Sequence, residues 1–151
     1  MPGAEVRALR ASDREAWGRL WDGYLAFYRA ELAADVTAET FARLCDADGE
    51  LAGLVAVDGD DKPIGLAHLV FHPTTWSASG YCYLEDLYVH PDHRGGGAAV
   101  ALFEAVDELA RGRGVQRVYW HTQQFNGRAR SLYDTVGRLT SFIVYERSVR
   151  P

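Results

Sequence analysis

Residues 94–99, Arg94-Gly95-Gly96-Gly97-Ala98-Ala99, follow an apolar run at 83–89 and precede a helical stretch at 100–111. That placement commits the chain to a strand, a bare turn and a helix in direct succession. The first backbone N–H groups of a helix lack carbonyl partners and lie at the positive end of its dipole, so an anion is favoured there. Three glycines and two alanines leave the amides open to a pyrophosphate, and Arg94 can add a charge-assisted contact. Two familiar phosphate loops do not fit. No Gly-Lys-Ser/Thr follows, which excludes a P-loop, and Val100 stands where a G-x-G-x-x-G turn needs its third glycine. What remains is R-x-x-G-x-A. Glycine before a helix is also ordinary turn chemistry, so the rest of the chain must decide.

Residues 5–10 read as a short alternating strand. Ser12, with Glu15 three positions on, makes a capping box for a long helix. Within it Trp17, Leu20, Trp21, Tyr24, Leu25, Phe27 and Tyr28 recur at helical spacing. Such a face packs a core, and the same face can wall a ligand site. Thr37 is expected to cap a shorter helix through Phe41 and Leu44. Residues 51–57 and 64–71 read as an antiparallel pair about a turn at Gly59-Asp60-Asp61-Lys62, and 72–80 as a polar loop leading to a strand at 81–89. A helix at 98–111, with Val100, Phe103, Val106 and Leu109 in helical order, stops near Gly112-Arg113-Gly114. The strand at 115–121 should run parallel to its predecessor because a helix connects them. A helix at 126–136, closed by Gly137, and a strand at 141–149 complete the chain. The expected fold class is mixed α/β (α+β) in the order β-α-α-β-β-β-α-β-α-β, a twisted mixed sheet of about six or seven strands with helices on both faces. Residues 1–151 are expected to form a single domain.

With 21 acidic and 16 basic residues the chain carries a formal charge of -5, which argues against a broad basic surface for nucleic acid and suits cationic small molecules. No apolar stretch approaches the length of a membrane span. Met1-Pro2-Gly3-Ala4-Glu5 lacks a basic region followed by an apolar one, so no membrane partner is expected and the cytosol is the expected compartment. Cys45 and Cys82 are far apart with no C-x-x-C, which predicts buried thiols. His68 and His72 fall in a strand and its exit without an H-E-x-x-H, so no metal site is expected. His90 and His93 flank the glycine turn as surface histidines.

The strand Tyr83-Leu84-Glu85-Asp86-Leu87-Tyr88-Val89 holds two carboxylates, which are costly among apolar neighbours unless they face water, a partner or a site. Alternation sends Glu85 and Asp86 to opposite faces, so one of them should look into a substrate channel. Further on, Asn126-Gly127-Arg128-Ala129-Arg130-Ser131-Leu132-Tyr133 places Asn126 and Tyr133 two helical turns apart and on one side.

Taken together, R-x-x-G-x-A at 94–99, N-x-x-A-x-x-L-Y at 126–133 with Gly137 four residues beyond, and the element order resemble the GCN5-related N-acetyltransferases (GNAT superfamily) over almost the whole chain. The run W-x-x-L-W-x-x-Y-L-x-F-Y at 17–28, with H-P-T-T-W and Y-C-Y-L-E-D, resembles the histone/polyamine and D-amino-acid branch; Y-L-E-D followed by R-G-x-G is similar to the spermidine/spermine N-acetyltransferases. The resemblance implies acetyl-CoA as cofactor. Its pyrophosphate would lie on Arg94, Gly95, Gly96, Gly97, Ala98 and Ala99, and its pantetheine arm along the backbone of Leu87, Tyr88 and Val89 where neighbouring parallel strands splay apart. Asn126, Arg128 and Ala129 would also face the cofactor, and Tyr133 would protonate the departing sulfur. Glu85 is implied as the base acting through a water, with Asp86 as the cation binder or fallback base, and His121 is a secondary acid/base candidate. Tyr24, Phe27 and Tyr28 would shape the acceptor site.

The implied reaction is direct acetyl transfer, in a ternary complex, to the primary amine of a small cationic molecule, a polyamine or an amino acid. The rivals are a protein or peptide lysine acetyltransferase and a non-catalytic acyl-CoA sensor. A homodimer is expected through the open edge of the strand at 141–149. Two departures from the family pattern stand out: Ala99 replaces the commoner last glycine of the first motif, and Arg138-Leu139 replaces the aromatic that usually follows Gly137.

Overall fold

A computed structural model describes residues 4–151 in two compact units divided after His121. The reading of the N-terminal Met1-Pro2-Gly3 lies outside the described residues. The first unit contains β1 (Glu5–Ala8), α1 (Arg14–Phe27), α2 (Ala34–Leu44), β2 (Leu51–Val57), β3 (Pro63–Thr74), β4 (Ser77–Val89), α3 (Ala98–Gly112) and β5 (Val118–Tyr119). Its five strands lie in the order β1-β2-β3-β4-β5, antiparallel except for the last pair, which α3 connects in parallel.

Alternation along the central strands divides the core in two. One face of the sheet offers Val55, Val57 and Leu66 to Trp17, Leu20 and Trp21 of α1 and to Phe41 and Leu44 of α2. Gly53 lies on this face because a side chain there would meet Leu9 and Leu44. The alternate residues Leu54, Ala56, Ala67 and Leu69 are buried on the opposite face. Here Leu102 of α3 approaches the bare Gly65. The buried stripe of α3 is Ala98, Leu102, Phe103, Val106 and Ala110, whereas Val100, in helical order with Phe103 and Val106, is 41% exposed. The small first residue of the helix, Ala98, is buried in place of Val100.

The entry to α1 also differs from the capping box at Ser12. A short 3-10 turn at Ala11–Asp13 precedes the helix, and the Asp13 carboxylate accepts the Arg10 backbone N–H at 2.9 Å. The same carboxylate is gripped by both terminal nitrogens of Arg7 at 2.8 and 2.9 Å, while Asp61 bonds Arg7 and Arg10 from the β2–β3 turn. Burial works to raise the Asp13 carboxyl, but the Arg7 guanidinium and the Arg10 amide overcome it and hold the group below the usual carboxylate range. Helix α2 likewise starts earlier than Thr37 predicts. Ala33 is its N-cap, and the Thr37 N–H already bonds back to the Ala33 carbonyl.

The polar segment 72–80 is not a loop. Strands β3 and β4 continue through it, paired as far as Thr74 with Ser77 around the tight turn at Thr75-Trp76. Hydroxyl side chains suit an exposed ladder as well as they suit a turn, and here backbone pairing decides. Gly80 is required in this hairpin: its φ is +79°, and a side chain would lie 2.4 Å from the His72 carbonyl. At the other edge the strand expected over 115–121 is reduced to Val118–Tyr119, paired with Cys82 and Tyr83. Among the described residues, no strand pairs with that edge of β4 beyond Tyr83, although β4 continues to Val89. That stretch of β4, from Leu84 to Val89, is an unpaired edge.

The second unit, residues 122–151, contains α4 (Gly127–Val136). Asn126 caps it, its side-chain oxygen accepting the Ala129 N–H at 3.4 Å. Gly137 ends the helix by donating its N–H to the Tyr133 carbonyl at 2.8 Å. The segment 141–149, expected as a strand, has no regular structure. Its unit holds no described strand to supply a ladder, and Phe142, Ile143, Val144 and Tyr145 remain exposed. The sheet accordingly has five strands where about six or seven were expected.

Candidate active site

A break in register on β4 organises the site. His68 of β3 pairs with Asp86, but the next residue, Leu69, pairs with Leu84, so Glu85 is an extra residue with no opposite number. Such a bulge re-aims side chains and disturbs alternation. Before it, Tyr81 and Tyr83 lie opposite His72 and Val70 on the α1 face; after it, Asp86 and Tyr88 lie opposite His68 and Leu66 on that same face. The simple alternation behind the expectation that Glu85 and Asp86 point to opposite sides is interrupted at this point. Their charges act on one another and on Tyr24 and Tyr83, which places both carboxylates in one electrostatic neighbourhood.

Asp86 is held firmly. Its Oδ2 lies 2.9 Å from His68 Nδ1, and His68 Nε2 accepts the Trp17 indole N–H at 3.0 Å. Trp17 is completely buried and His68 is 4% exposed. Glu85, by contrast, is an exposed residue on the open stretch of β4. Partial desolvation first, and the Asp86 charge second, raise its carboxyl above the usual range, with His68 opposing. A carboxylate tuned upward is better matched to taking a proton near neutral pH.

The aromatic face of α1 has two halves. Trp17, Leu20 and Trp21 are core, while Tyr24 is half-buried and Phe27 and Tyr28 are exposed. Trp21 stacks on Tyr24 with ring centroids 5.1 Å apart, and Tyr24 meets Tyr28 at 4.9 Å. Burial, followed by the Asp86 charge and a hydrogen bond to it, pushes the Tyr24 hydroxyl far up, so it stays a proton donor toward Asp86. Of the three predicted wall residues, Tyr24 is brought to the carboxylates, Tyr28 senses the Asp86 charge, and Phe27 stacks edge-on against Tyr28.

Farther along the same face, Tyr83 stacks on Tyr119 at 5.0 Å, and the Tyr83 hydroxyl lies 3.3 Å from His121 Nδ1. His72 Nε2 lies 2.7 Å from the Tyr119 hydroxyl. His121 is therefore tied to Tyr83, whose hydroxyl is raised by burial, then by Glu85 and Asp86.

The glycine turn is open. Gly95 and Gly97 have φ of +85° and +86°, and a Cβ at either would meet nothing within 4 Å. Gly97 is the N-cap of α3, and no side chain occupies the cap. Ala98 is buried beneath it. Arg94 folds back: its Nε donates to the Val89 carbonyl at 3.1 Å, and its guanidinium lies 5.7 Å from the Tyr88 ring centre. Tyr88 in turn packs on α1, where Gly23 leaves room for its hydroxyl. In the second unit, Tyr133 is half-buried on α4, two turns from the capping Asn126.

Sequence reasoning missed His68 and Trp17 as site residues. The available signal was Asp86 itself: an acid in an apolar strand requires a partner, and His68 is the titratable residue of the apolar stretch preceding it.

A family comparison decides what this arrangement belongs to. The sequence model of the family described as acetyltransferase (GNAT) family matches residues 7–137. The chain belongs to the GNAT family. It is an N-acetyltransferase by kinship, and its match runs through the glycine turn, the β4 carboxylates and the Asn126–Tyr133 motif. A D-amino-acid N-acetyltransferase of Saccharomyces cerevisiae is 36% identical over 144 residues, which cover 95% of this chain and 89% of that protein. A thialysine N-epsilon-acetyltransferase of Caenorhabditis elegans is 37% identical over 84 residues, 56% of this chain and 51% of that one. The fold is that of an aminoglycoside N-acetyltransferase solved with a CoA-containing bisubstrate analogue, with a TM-score of 0.83, 20% identity and coverage of 99% of this chain and 100% of that one. Among the described residues no helix is long and apolar enough to cross a membrane.

Proposed function

We propose that this GNAT chain transfers the acetyl group of acetyl-CoA to the primary amine of a small cationic acceptor, an amino acid or a polyamine, by direct attack within a ternary complex. The observation that carries this reading is the bulge at Glu85, which sets an upward-tuned carboxylate beside the anchored Asp86 on the open stretch of β4. Bound there, acetyl-CoA supplies an activated thioester.

The bare amides of Gly95, Gly96, Gly97, Ala98 and Ala99 fit a pyrophosphate, since no side chain fills the turn. Backbone groups of Leu87, Tyr88 and Val89 would pair with the pantetheine amides along the unpaired edge of β4, although the Val89 carbonyl already accepts Arg94. Arg94 would reach a phosphate only by leaving that contact. Asn126, Arg128 and Ala129 would hold the cofactor from α4, with the Asn126 amide nitrogen as donor because its oxygen serves as the cap.

Asp86 and the aromatic wall of Tyr24, Phe27 and Tyr28 would receive the acceptor ammonium. Glu85 then removes a proton from it through a water, the freed nitrogen attacks the carbonyl carbon, the C–N bond forms and the C–S bond breaks. Tyr133 would give its proton to the departing sulfur, and the proton that remains on the new amide nitrogen would restore the Tyr133 hydroxyl, directly or through solvent. Residues 1–151 would serve as a single catalytic domain, and the matched region spans both structural units.

The D-amino-acid relative supports the amino-acid acceptor, and the acid pair supports a cation. The apolar, exposed segment around Phe142, Ile143, Val144 and Tyr145 supports a homodimer in which a second copy covers it. The test incubates the protein with acetyl-CoA and a panel of D- and L-amino acids, polyamines and a basic peptide, following thiol release and acetylated product. Release that depends on a small amine is expected. Release only with the peptide would move the acceptor to protein lysine, and binding of acetyl-CoA without transfer to any acceptor would overturn the enzymatic reading.

A further inference from the structure

His68 has a direction as well as a position. An indole N–H only donates, so the 3.0 Å bond from Trp17 obliges His68 Nε2 to accept and therefore to carry no proton. The ring proton then resides on Nδ1, where it donates to Asp86 Oδ2 at 2.9 Å. Both hydrogen bonds of the path from indole to imidazole to carboxylate run one way. A second proton on the ring would set two N–H groups against each other inside a core where Trp17 is completely buried and Trp21 packs 5.0 Å from the same imidazole.

We propose that Trp17 locks His68 as the neutral Nδ1–H tautomer, and that His68 is a positioning residue which orients Asp86 without neutralising it. The distinction bears on affinity. An imidazolium beside Asp86 would form a closed ion pair and cancel the charge available to an incoming ammonium. A neutral donor leaves the carboxylate its full charge while fixing which oxygen faces the core. Asp86 thereby presents its other oxygen among the polar groups that share its field, Tyr24, Tyr28, Tyr83 and Glu85. The functional half of this proposal rests on the reading of Asp86 as the receptor for the acceptor amine; the tautomer half does not.

Two-bond 15N–1H spectra of the histidine rings in the intact protein test the tautomer without any substitution. A protonated Nδ1 and a bare Nε2 at His68 are expected; protonation at Nε2, alone or with Nδ1, overturns the lock. Steady-state kinetics with the best amine then test the positioning role. In His68→Asn the side-chain amide can occupy the place of Nδ1–H, and KM for the amine should stay within about threefold of the parent. In His68→Gln the amide occupies the place of Nε2 instead, and KM should rise about tenfold with kcat changed less. Equal KM values for the two amides overturn the positioning role, and their similar size keeps the comparison fair if both lose some stability. Asp86→Asn separates the two readings: an unchanged KM there refutes Asp86 as the amine receptor even where the spectra support the tautomer.

Discussion

The carboxylate pocket on β4 and the glycine turn before α3 lie in one unit and solve opposite problems. The pocket is made of side chains that occupy one another: Trp17, His68, Asp86 and Tyr24 each take a partner from another element, and the resulting charges are fixed in place. The turn is made by leaving side chains out, so that Gly95 and Gly97 expose their amides with nothing within 4 Å of a Cβ position. A carboxylate that must move a proton needs a tuned environment, which only packed neighbours provide. A pyrophosphate needs several donors at once, which only bare backbone provides. The pocket should therefore fail through chemistry and the turn through conformation.

Glu85→Gln should show the larger of these effects. Turnover with the best amine should fall by about 10²- to 10³-fold, in the range of a lost general base, while KM for acetyl-CoA moves little. The pH dependence has a definite sign. Because the folded-state value of Glu85 is raised, ionising it costs folding stability, an effect absent below the unfolded value and complete above the folded one. The parent should lose stability relative to E85Q as pH rises through that window, and kcat/KM of the parent should rise over the same window. Melting curves and rates across pH measure both. A variant that keeps parental turnover would remove Glu85 from the mechanism.

At the turn, Gly97→Ala and Gly96→Ala make a matched pair. Gly97 sits at φ +86°, where an L side chain is strained, so its substitution should cost about 1–2 kcal/mol of stability and weaken acetyl-CoA binding. Gly96 is not in the left-handed region, and a Cβ there meets only the His93 carbonyl at 3.5 Å, an ordinary contact. Its substitution should leave the melting temperature near the parent's. Equal melting losses for the two would show that the turn is not held by backbone conformation.

The same contrast governs what could be read from the sequence. The turn was legible because glycine acts locally: its meaning lies within six residues. The helices and the hairpin from 51 to 71 were legible because hydrophobic period and turn residues are also local. The acid pair could be named as unusual, but not its geometry. The bulge at Glu85 exists only in the register between β3 and β4, and the Trp17–His68 bond joins residues 51 positions apart. Thr74 and Ser77 carry hydroxyls that suit a loop and an exposed ladder equally, so the length of the hairpin was hidden as well. The segment 141–149 has the aromatic and β-branched residues of a strand, but a strand needs a ladder, and its own unit holds no described strand to offer one.

Gly23 breaks the simple division, since it is a glycine inside the side-chain region. It lies in α1, and a Cβ there would fall 2.6 Å from the Tyr88 hydroxyl. In Gly23→Ala the gain in helix propensity, about 1 kcal/mol, opposes an overpacking cost of about 1–3 kcal/mol. A net loss of about 1 kcal/mol is expected, with Tyr88 displaced from α1. Denaturant titration reads the balance. Stabilisation would mean that Tyr88 yields freely and that the α1–β4 contact is looser than its neighbours.

The smallest effect should come from the thiols, which test how tightly the sheet beneath the pocket is closed. Cys82 sits one residue before Tyr83 on β4, completely buried and paired across to Phe71 and Val118. Burial pushes its thiol up to about 11, with Arg113 opposing, so almost none is thiolate at pH 8. Cys45, at the end of α2, is partly exposed and its thiol is also raised, first by burial and then by Asp13. A thiol reagent at pH 8 should therefore modify Cys45 slowly and Cys82 only through unfolding, at a rate that denaturant increases. Equal labelling of both cysteines in the native protein would mean that β4 opens at its parallel edge beside β5.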